Sequence, residues 1–263
     1  MTQKSTILGA KGFIGRHLAD TLMKSGADVY VPARGDEKIF STPLGTVYYC
    51  IGLTNDYKDR PFDTVEAHAS LLNRIVERSS FDRLVYLSST RLYDGLSSTA
   101  EETDLVLNPA NPRHIYDLSK ALGESICLTS SDGRACVARL SSVYSDTPEA
   151  SGFVPDLLRR MKQEKKFELD SSSGLVRDYI HIDDVVAALI ATAEQSQLKM
   201  VNVASGENIS NQTIADTLNA CGYEVSIKRK TDLEKTPVCE ISKLKSLGIT
   251  PIGLTEFLKG YKA

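Results

Sequence analysis

Apolar and polar positions follow two alternating patterns through the first 145 residues. Short apolar runs of strand length are separated by longer segments in which apolar residues recur at the spacing of an amphipathic helix. The predicted strands are Ser5–Leu8, Asp28–Val31, Thr46–Ile51, Leu84–Leu87 and Ala135–Leu140, and the predicted helices are Ile14–Lys24, Phe62–Arg78 and Ser119–Thr129. This alternation predicts an α/β fold in which helices cover both faces of a doubly wound parallel sheet.

The second half of the chain is richer in helical patterns. Helices are predicted at Val154–Lys162, from about Asp183 to Ala193, at Asn211–Cys221 and from Leu254, with a strand at Glu224–Lys228. The cluster Ser171–Gly174 contains turn-forming residues and predicts a loop. No internal repeat or low-complexity tract is visible in the sequence.

Composition narrows the class of protein. The 263 residues carry a net charge of −3 with mixed signs, which argues against the basic stripe of a nucleic-acid-binding protein. No apolar run approaches the roughly 20 residues needed to cross a bilayer, and Met1–Lys4 leads directly into a strand, without room for a signal peptide. Five scattered cysteines without a CxxC pair predict reduced thiols and no metal site. These features predict a soluble, cytoplasmic protein.

A glycine-rich turn follows the first predicted strand and opens the first helix. Its residues are Gly9, Lys11, Gly12, Phe13, Ile14 and Gly15 within the run GAKGFIG. Glycines let the backbone approach a pyrophosphate, and the amides at the start of the helix then face the anion. A tight turn without a ligand would use the same residues, but the strand-turn-helix context favours a dinucleotide site.

The end of the second strand bears on which dinucleotide is bound. NAD sites usually place an acid there to hold the ribose 2′-hydroxyl, whereas this strand ends Val31-Pro-Ala-Arg34, with no carboxylate before Asp36. Arg34 and Lys11 are suited to bind a 2′-phosphate, since guanidinium binds phosphate in bidentate fashion. Both could equally be solvated surface cations. The balance favours NADP over NAD.

A hydroxyl and amine cluster suggests acid–base chemistry. Tyr116 and Lys120 lie four residues apart, so a helix presents them on one face. A nearby lysine stabilises a phenolate and lowers the pKa of the tyrosine, which makes it a usable acid or base. Ser88, Ser89 and Thr90 follow a strand at the sheet edge where ligands bind, although turn or capping roles are the alternative.

With these motifs, the chain resembles the extended short-chain dehydrogenase/reductases, specifically the nucleotide-sugar epimerase/dehydratase family. The resemblance extends over nearly the whole length, through GAKGFIG at 9–15, CIGL at 50–53, LSSTRLY at 87–93, YDLSK at 116–120, RLSSVY at 139–144, GFVPDLLRRM at 152–161 and RDYIHIDDV at 177–185. It implies a Rossmann-type fold with a small substrate-binding domain and homodimerisation through two helices per subunit.

The resemblance also implies residue roles. Tyr116 exchanges a proton with the sugar oxygen, Ser89 hydrogen-bonds the same oxygen, and Lys120 holds the nicotinamide ribose. Cys50, Ile51, Gly52 and Ser88 line the cofactor, and Thr90, Ser142, Arg177 and Arg229 contact the substrate. Arg177 is the expected diphosphate ligand, with Arg229 or Lys230 as a second one, unless Arg177 and Asp178 form a structural ion pair. His181 is expected to support the fold.

Several positions depart from the family pattern. Only residues 35–45 separate the second and third strands, which predicts loss of an edge strand and of an acidic adenine contact. The Asp-Glu pair of 4,6-dehydratases is replaced by Thr90 and Arg91, so dehydration is disfavoured. Ser142 and His68 stand where the family has asparagines. The short tail predicts a small substrate domain of about 146–176 plus 205–263, beside a cofactor domain of 1–145 plus about 177–204.

Three functions are compatible with these observations. The sequence favours NADP-dependent reduction of a nucleotide-linked 4-keto sugar, because the acid typical of an NAD site is missing. A 4-epimerase with tightly bound NAD would use the same catalytic residues. A non-catalytic NADP-sensing protein is the third alternative, although both Tyr116 and Lys120 are retained.

Overall fold

A computed structural model describes residues 4–54, 56–147 and 150–261. The strands in chain order are β1 (Lys4–Leu8), β2 (Asp28–Tyr30), β3 (Thr46–Tyr49), β4 (Arg83–Ser89), β5 (Ala135–Leu140), β6 (Ser142–Tyr144), β7 (Lys166–Ser172), β8 (Val176–His181), β9 (Met200–Val203), β10 (Asn208–Ser210) and β11 (Glu224–Arg229). The helices are α1 (Phe13–Lys24), α2 (Pro61–Val65), α3 (Leu71–Arg78), α4 (His114–Ser130), α5 (Phe153–Gln163), α6 (Ile182–Glu194), α7 (Asn211–Ala220), α8 (Ser242–Ser246) and α9 (Leu254–Gly260). A π-helical segment, Glu66–Ser70, joins α2 to α3, and 3₁₀ turns occupy Glu37–Phe40 and Thr90–Tyr93.

The central sheet has six parallel strands in the order β2-β1-β3-β4-β5-β9. This confirms the predicted doubly wound α/β class. Between β2 and β3 the chain forms only the 3₁₀ turn Glu37–Phe40, so β2 is the edge of the sheet, as the short 35–45 segment predicts. The missing strand would have been an edge strand, and its loss leaves the core closed.

Alternation along β4 shows how the sheet is buried on both faces. Leu84 and Tyr86 point to the layer that contains α3 and α4, whereas Val85 and Leu87 point to the layer that contains α1 and α6. All four side chains are buried. Because both faces are covered, the strand is a continuous apolar run, which is typical of a parallel sheet.

A separate apolar cluster lies outside the central sheet. It combines α5, α7 and α9 with the β10-β8-β6 sheet and the parallel pair β7-β11. The prediction of a loop at Ser171–Gly174 is wrong in its first half, because Ser171 and Ser172 continue β7, and Ser172 pairs with Arg229. Strand pairing satisfies the backbone there, although serine clusters favour turns. The division into a cofactor domain and a substrate domain stays a prediction.

No helix among the described residues is long and apolar enough to cross a membrane.

A buried ion pair ties α4 to the sheet. Arg139 on β5 donates through Nε and Nη2 to the two carboxylate oxygens of Glu124 on α4, at 2.8 and 2.6 Å. Arg139 Nη1 also donates to Tyr93 Oη at 2.7 Å, and that hydroxyl donates to Asn202 Oδ1 at 2.8 Å. Both charged side chains are buried. The network therefore fixes α4 relative to β5, β9 and the turn after β4.

Removing one charge of this pair should be more harmful than removing both. We expect Arg139→Met to lower the free energy of unfolding by about 3–5 kcal/mol, because Glu124 is left buried and unpaired. The double variant Arg139→Met/Glu124→Leu should lose less than Arg139→Met alone. Urea denaturation monitored by circular dichroism measures both values. A double variant at least as unstable as Arg139→Met would contradict this account.

Candidate active site

The glycine-rich turn between β1 and α1 has the shape that a pyrophosphate site requires. Gly9 adopts φ +88°, and a Cβ on it would lie 2.9 Å from the carbonyl carbon of Cys50. A Cβ on Gly15 would overlap the carbonyl oxygen of Gly9. Only glycine fits these two positions, whereas at Gly12 a Cβ would meet nothing nearer than the Gly9 oxygen, at 3.2 Å. The atoms on the open side of the turn are therefore backbone atoms.

Helix α1 begins at Phe13 with Gly12 as its N-cap. The first amides of a helix, here those of Phe13, Ile14 and Gly15, have no partner within it and form the positive end of the helix dipole. The first turn carries no acidic residue, and Lys11 beside it is exposed. This backbone cradle fits the diphosphate of a dinucleotide.

The end of β2 brings a cation towards the same edge of the sheet. Arg34 is exposed, and neither it nor Lys11 makes a hydrogen bond or ion pair through its side chain with any residue that the structure describes. Asp36, the first carboxylate after β2, accepts from Tyr30 Oη at 2.9 Å and from the Lys38 amide at 3.0 Å. Asp36 is therefore engaged by Tyr30 of β2 and by its own loop.

Lys120 is buried where β3, β4 and α4 meet. Its Nζ donates to the Leu87 carbonyl at 2.7 Å, and a Cβ on Gly52 would lie 3.5 Å from that nitrogen. Burial lowers the pKa of Lys120 to about 7, and only Glu124 among nearby carboxylates opposes this. The space above Gly52 is therefore lined by an amine that changes charge near neutral pH.

Tyr116 lies one helical turn before Lys120 and is also buried. Burial raises its pKa, while the nearby Ser89 hydroxyl and the charge of Arg91 oppose the rise. We expected Lys120 to lower the pKa of the phenol. That expectation is not met, because the Lys120 ammonium is directed to the Leu87 carbonyl and burial dominates. The structure nevertheless brings Tyr116, Ser89 and Lys120 to one location.

The other predicted hydroxyls have different environments. Ser89 caps the 3₁₀ turn by accepting from the Arg91 amide at 3.2 Å, so it has a local role besides its contact with Tyr116. Thr90 Oγ1 donates to the Leu140 carbonyl at 3.3 Å. The Ser88 hydroxyl is buried without a partner in the described part of the chain, which fits a group that a cofactor would satisfy. Ser142 begins β6 and is half-buried.

His68 joins the loop after β3 to the catalytic helix, a role that the sequence did not reveal. Its Nε2 accepts from the Leu53 amide at 3.1 Å, and its Nδ1 lies 2.8 Å from Ser119 Oγ. Ser119 Oγ in turn donates to the Tyr116 carbonyl at 2.8 Å. Nδ1 therefore carries the proton, since Nε2 already accepts. Burial and the charge of Lys120 lower the pKa of His68 to about 2, so the ring stays neutral.

His68 holds this position because the helix around it is π-helical. Such a segment leaves carbonyls without their usual partners. Tyr49 Oη donates to the Ala67 carbonyl at 2.7 Å, and Tyr86 Oη donates to the His68 carbonyl at 3.0 Å. Helix α4 packs directly against this segment at Gly123, where a Cβ would collide with the Tyr86 hydroxyl and lie 2.7 Å from the His68 carbonyl oxygen.

The residues predicted to bind the substrate diphosphate lie on elements of the apolar cluster outside the central sheet. Arg177 on β8 is exposed, and its Nη1 lies 3.5 Å from Glu234 Oε2. The alternative, an ion pair with Asp178, does not form, because Asp178 accepts from the Ser205 and Gly206 amides at 2.9 and 2.8 Å. Arg177 Nη1 also donates to the Val176 carbonyl at 2.9 Å, and its ion pair with Glu234 is exposed and therefore weak.

The second predicted ligand, Arg229, ends β11 and is exposed, with its Nη1 3.0 Å from Asp170 Oδ1. Lys230 follows it and is exposed. His181 caps α6 by accepting from the Asp183 amide at 3.3 Å, which agrees with its expected structural role.

The neutral state of His68 has a measurable consequence. The ordinary pKa of 6.5 applies to the unfolded chain, and the folded value is about 2. The unfolded state therefore binds the additional proton below pH 6.5, and stability falls as the pH falls. We expect the free energy of unfolding to fall between pH 7.5 and 5.5. This fall should be about 1.4 kcal/mol smaller in His68→Asn than in the wild type. Urea denaturation at both values measures the difference.

Ser119→Ala is the matched control for His68→Asn. It removes the hydroxyl partner but keeps the imidazole and its contact with Leu53. This variant should be less stable at every pH and should retain the acid-dependent loss. An identical pH dependence in wild type and His68→Asn would mean that His68 is not held neutral by burial.

The chain is similar to known proteins over most of its length. A model of the NAD dependent epimerase/dehydratase family matches residues 5–204. The chain is 24% identical over 164 residues to dTDP-4-dehydro-6-deoxyglucose reductase from Escherichia coli, a match that covers 59% of this chain and 50% of that protein. It thus spans about half the length of that relative. Over 262 residues it is 21% identical to dTDP-4-dehydro-6-deoxy-D-allose reductase from Streptomyces sp, which covers 81% of this chain and 79% of the relative.

The fold is also that of solved structures. MoeE5 in complex with UDP-glucose and NAD superimposes with a TM-score of 0.76 at 22% identity, covering 97% of this chain and 96% of the other. The family match includes the glycine turn, Ser89, Tyr116 and Lys120, all within residues 5–204. The chain belongs to the NAD dependent epimerase/dehydratase family and is an NAD(P)-dependent enzyme of the oxidoreductase and epimerase type.

Proposed function

We propose that the protein is an NADP-dependent oxidoreductase that reduces the 4-keto group of a nucleotide-linked sugar. The observation that carries the proposal is the convergence of Ser89, Tyr116 and Lys120 beside Gly52 at the carboxyl edge of the sheet. The reductase names of the two relatives point in the same direction. The glycine turn provides the matching dinucleotide site.

The residues at the sheet edge suit a bound nicotinamide dinucleotide. The amides of Phe13, Ile14 and Gly15 would hold its diphosphate, and the loop from Cys50 through Ile51 to Gly52, with Ser88, would line the nicotinamide side. Bound there, the reduced cofactor supplies the hydride that adds to the carbonyl carbon. Lys120 lies close enough to Gly52 to hydrogen-bond the adjoining ribose.

Proton transfer falls to Tyr116. Its phenol donates a proton to the sugar oxygen as that oxygen gains charge, and Ser89 donates a hydrogen bond to the same atom. The raised pKa of Tyr116 keeps the phenol protonated at neutral pH, which is the form that a reductase needs. The positive charge of Arg91 then stabilises the phenolate that remains. Thr90 and Ser142 are the residues that we propose contact the sugar.

The outer basic residues suit the diphosphate of the substrate. Among the described residues, Arg177 and Arg229 form ion pairs with the exposed carboxylates of Glu234 and Asp170. A diphosphate offers a higher density of charge and bidentate oxygens, so it can displace these weak partners.

Lys11 and Arg34 support NADP as the cofactor. We expect Arg34→Ala to weaken NADPH binding by about tenfold to a hundredfold, the value of a lost charge-assisted hydrogen bond, with NADH affinity nearly unchanged. Titration of nicotinamide fluorescence measures both affinities. Lys24→Ala, at the other end of α1, is the control and should change neither. Equal affinities of the wild type for NADPH and NADH would refute the 2′-phosphate assignment.

Tyr116→Phe tests the proton donor. We expect kcat to fall by about 10² to 10⁴-fold while NADPH affinity changes little, because only the hydroxyl is removed. NADPH oxidation with dTDP-4-dehydro-6-deoxyglucose and other nucleotide-linked 4-keto sugars provides the assay. Tyr223→Phe removes a distant hydroxyl, which contacts the Met161 carbonyl, and should keep full activity. Tightly bound NAD, with interconversion of sugars and no net oxidation of NADPH, would identify a 4-epimerase instead.

A further inference from the structure

A cavity of about 230 Å³ lies next to the catalytic tyrosine. It is formed by the 3₁₀ turn after β4, the loop that follows it and the first turn of α4. Charged and polar side chains dominate its wall, which consists of Arg91, Leu92, Asp94, Gly95, Val106, Leu107, Arg113, His114 and Asp117. The proposed reaction uses none of these residues to move a proton.

Asp117 is an unsatisfied acceptor in this wall. Its side chain is 5% exposed, and Oδ1 has no hydrogen-bond partner within the described ranges. The nearest cation is Arg91, whose Nη2 lies 3.7 Å from Oδ1, which is longer than a hydrogen bond. A buried carboxylate in this state is costly unless another group donates to it. Its position on the cavity wall allows a ligand to do so.

Arg91 is the complementary donor and is held in place by two aromatic rings. Its guanidinium carbon lies 4.4 Å from the ring centre of Tyr116 and 5.2 Å from that of Tyr57. Nε is buried without a partner among the residues described, and Nη2 lies 3.4 Å from Tyr57 Oη. A planar guanidinium stacked in this way loses little entropy when it binds a ligand. Arg91 also connects the cavity directly to Tyr116.

Positively and negatively charged side chains around the cavity are equal in number. Arg91 faces Asp117, and Arg113 is paired with Asp94 at the rim. His114 Nδ1 is already occupied, because it accepts from the Asn108 amide at 2.8 Å. An anionic group would meet two carboxylates, and a cationic group would meet two guanidinium groups. A neutral group that both donates and accepts hydrogen bonds matches the wall best.

We infer that this cavity is a specificity subsite for the hydroxylated sugar of the substrate, where a sugar hydroxyl donates to Asp117 and accepts from Arg91. The inference rests on the proposed function, since it assumes that the carbonyl of the same sugar faces Tyr116. It assigns a preference for neutral hexoses over hexuronates, because the carboxylate of a hexuronate would be placed against Asp117.

Calorimetry with NADP present tests the subsite. Binding of dTDP, UDP, GDP and CDP first identifies the preferred nucleotide, and its glucose-linked and glucuronic-acid-linked forms are then compared. We expect the wild type to bind the glucose form at least about tenfold more tightly than the glucuronic acid form. Asp117→Asn should reduce that ratio to about two or less, because the amide removes the repulsion.

Arg91→Met should weaken binding of the glucose form by about tenfold or more while affinity for the free nucleotide stays within about twofold. Arg134→Met is the matched control: its guanidinium also lies 4.4 Å from a ring centre, that of Phe81, but at the opposite end of the sheet. This variant should bind every probe as the wild type does.

The outcomes separate the subsite from the proposed function. If Asp117→Asn binds the glucose and glucuronic acid forms with the same affinity ratio as the wild type, the subsite is overturned and the proposed function stays intact. The subsite is also overturned if Arg91→Met loses affinity equally for the free nucleotide and for its glucose-linked form. If no nucleotide or nucleotide sugar binds the wild type, the proposed function fails and the subsite fails with it. If thermal melting shows that Arg91→Met does not fold, the affinity ratio of Asp117→Asn alone decides whether the subsite stands.

Discussion

The close packing of α4 against the π-helical segment Glu66–Ser70 is the constraint on which the active site depends. A Cβ at Gly123 would collide with Tyr86, so only glycine lets the two helices approach at this point. The approach brings Ser119 to His68 and thereby fixes the backbone of Tyr116. Without it, the phenol and Lys120 would have no defined position over the sheet edge.

The same packing determines the electrostatics of the site. Tyr116, Lys120 and Glu124 lie on one buried face of α4 at four-residue intervals. Glu124 favours the charged form of Lys120, but its carboxylate is already bound by Arg139. Lys120 is thus left with a partly compensated charge and a pKa of about 7. A cationic amine that is costly to bury in this way favours binding of a ligand with hydroxyl or phosphate oxygens.

Sequence patterns within one segment predicted the elements whose structure depends on that segment alone. The glycine turn, strand β5 at Ala135–Leu140 and the shortened sheet edge follow from spacing and burial that a single segment contains. Residues Lys166–Asp170 of strand β7 alternate between exposed and buried positions, but its extension through Ser171 and Ser172 could not be predicted, because it depends on pairing with distant β11. The role of His68 was hidden for the same reason, since its partners Leu53 and Ser119 come from other elements.

Chemistry and substrate selection meet in the 3₁₀ turn after β4. Ser89, at its start, is directed to Tyr116, and Arg91, two residues later, contacts the ring of Tyr116 and the adjacent cavity. An arginine at this position has no carboxyl group, the group that the Asp-Glu pair of a dehydratase supplies. It can, however, hold a neutral sugar and stabilise the phenolate left by proton donation. In the proposed function, this turn suits reduction better than dehydration, for a reason that is independent of the cofactor.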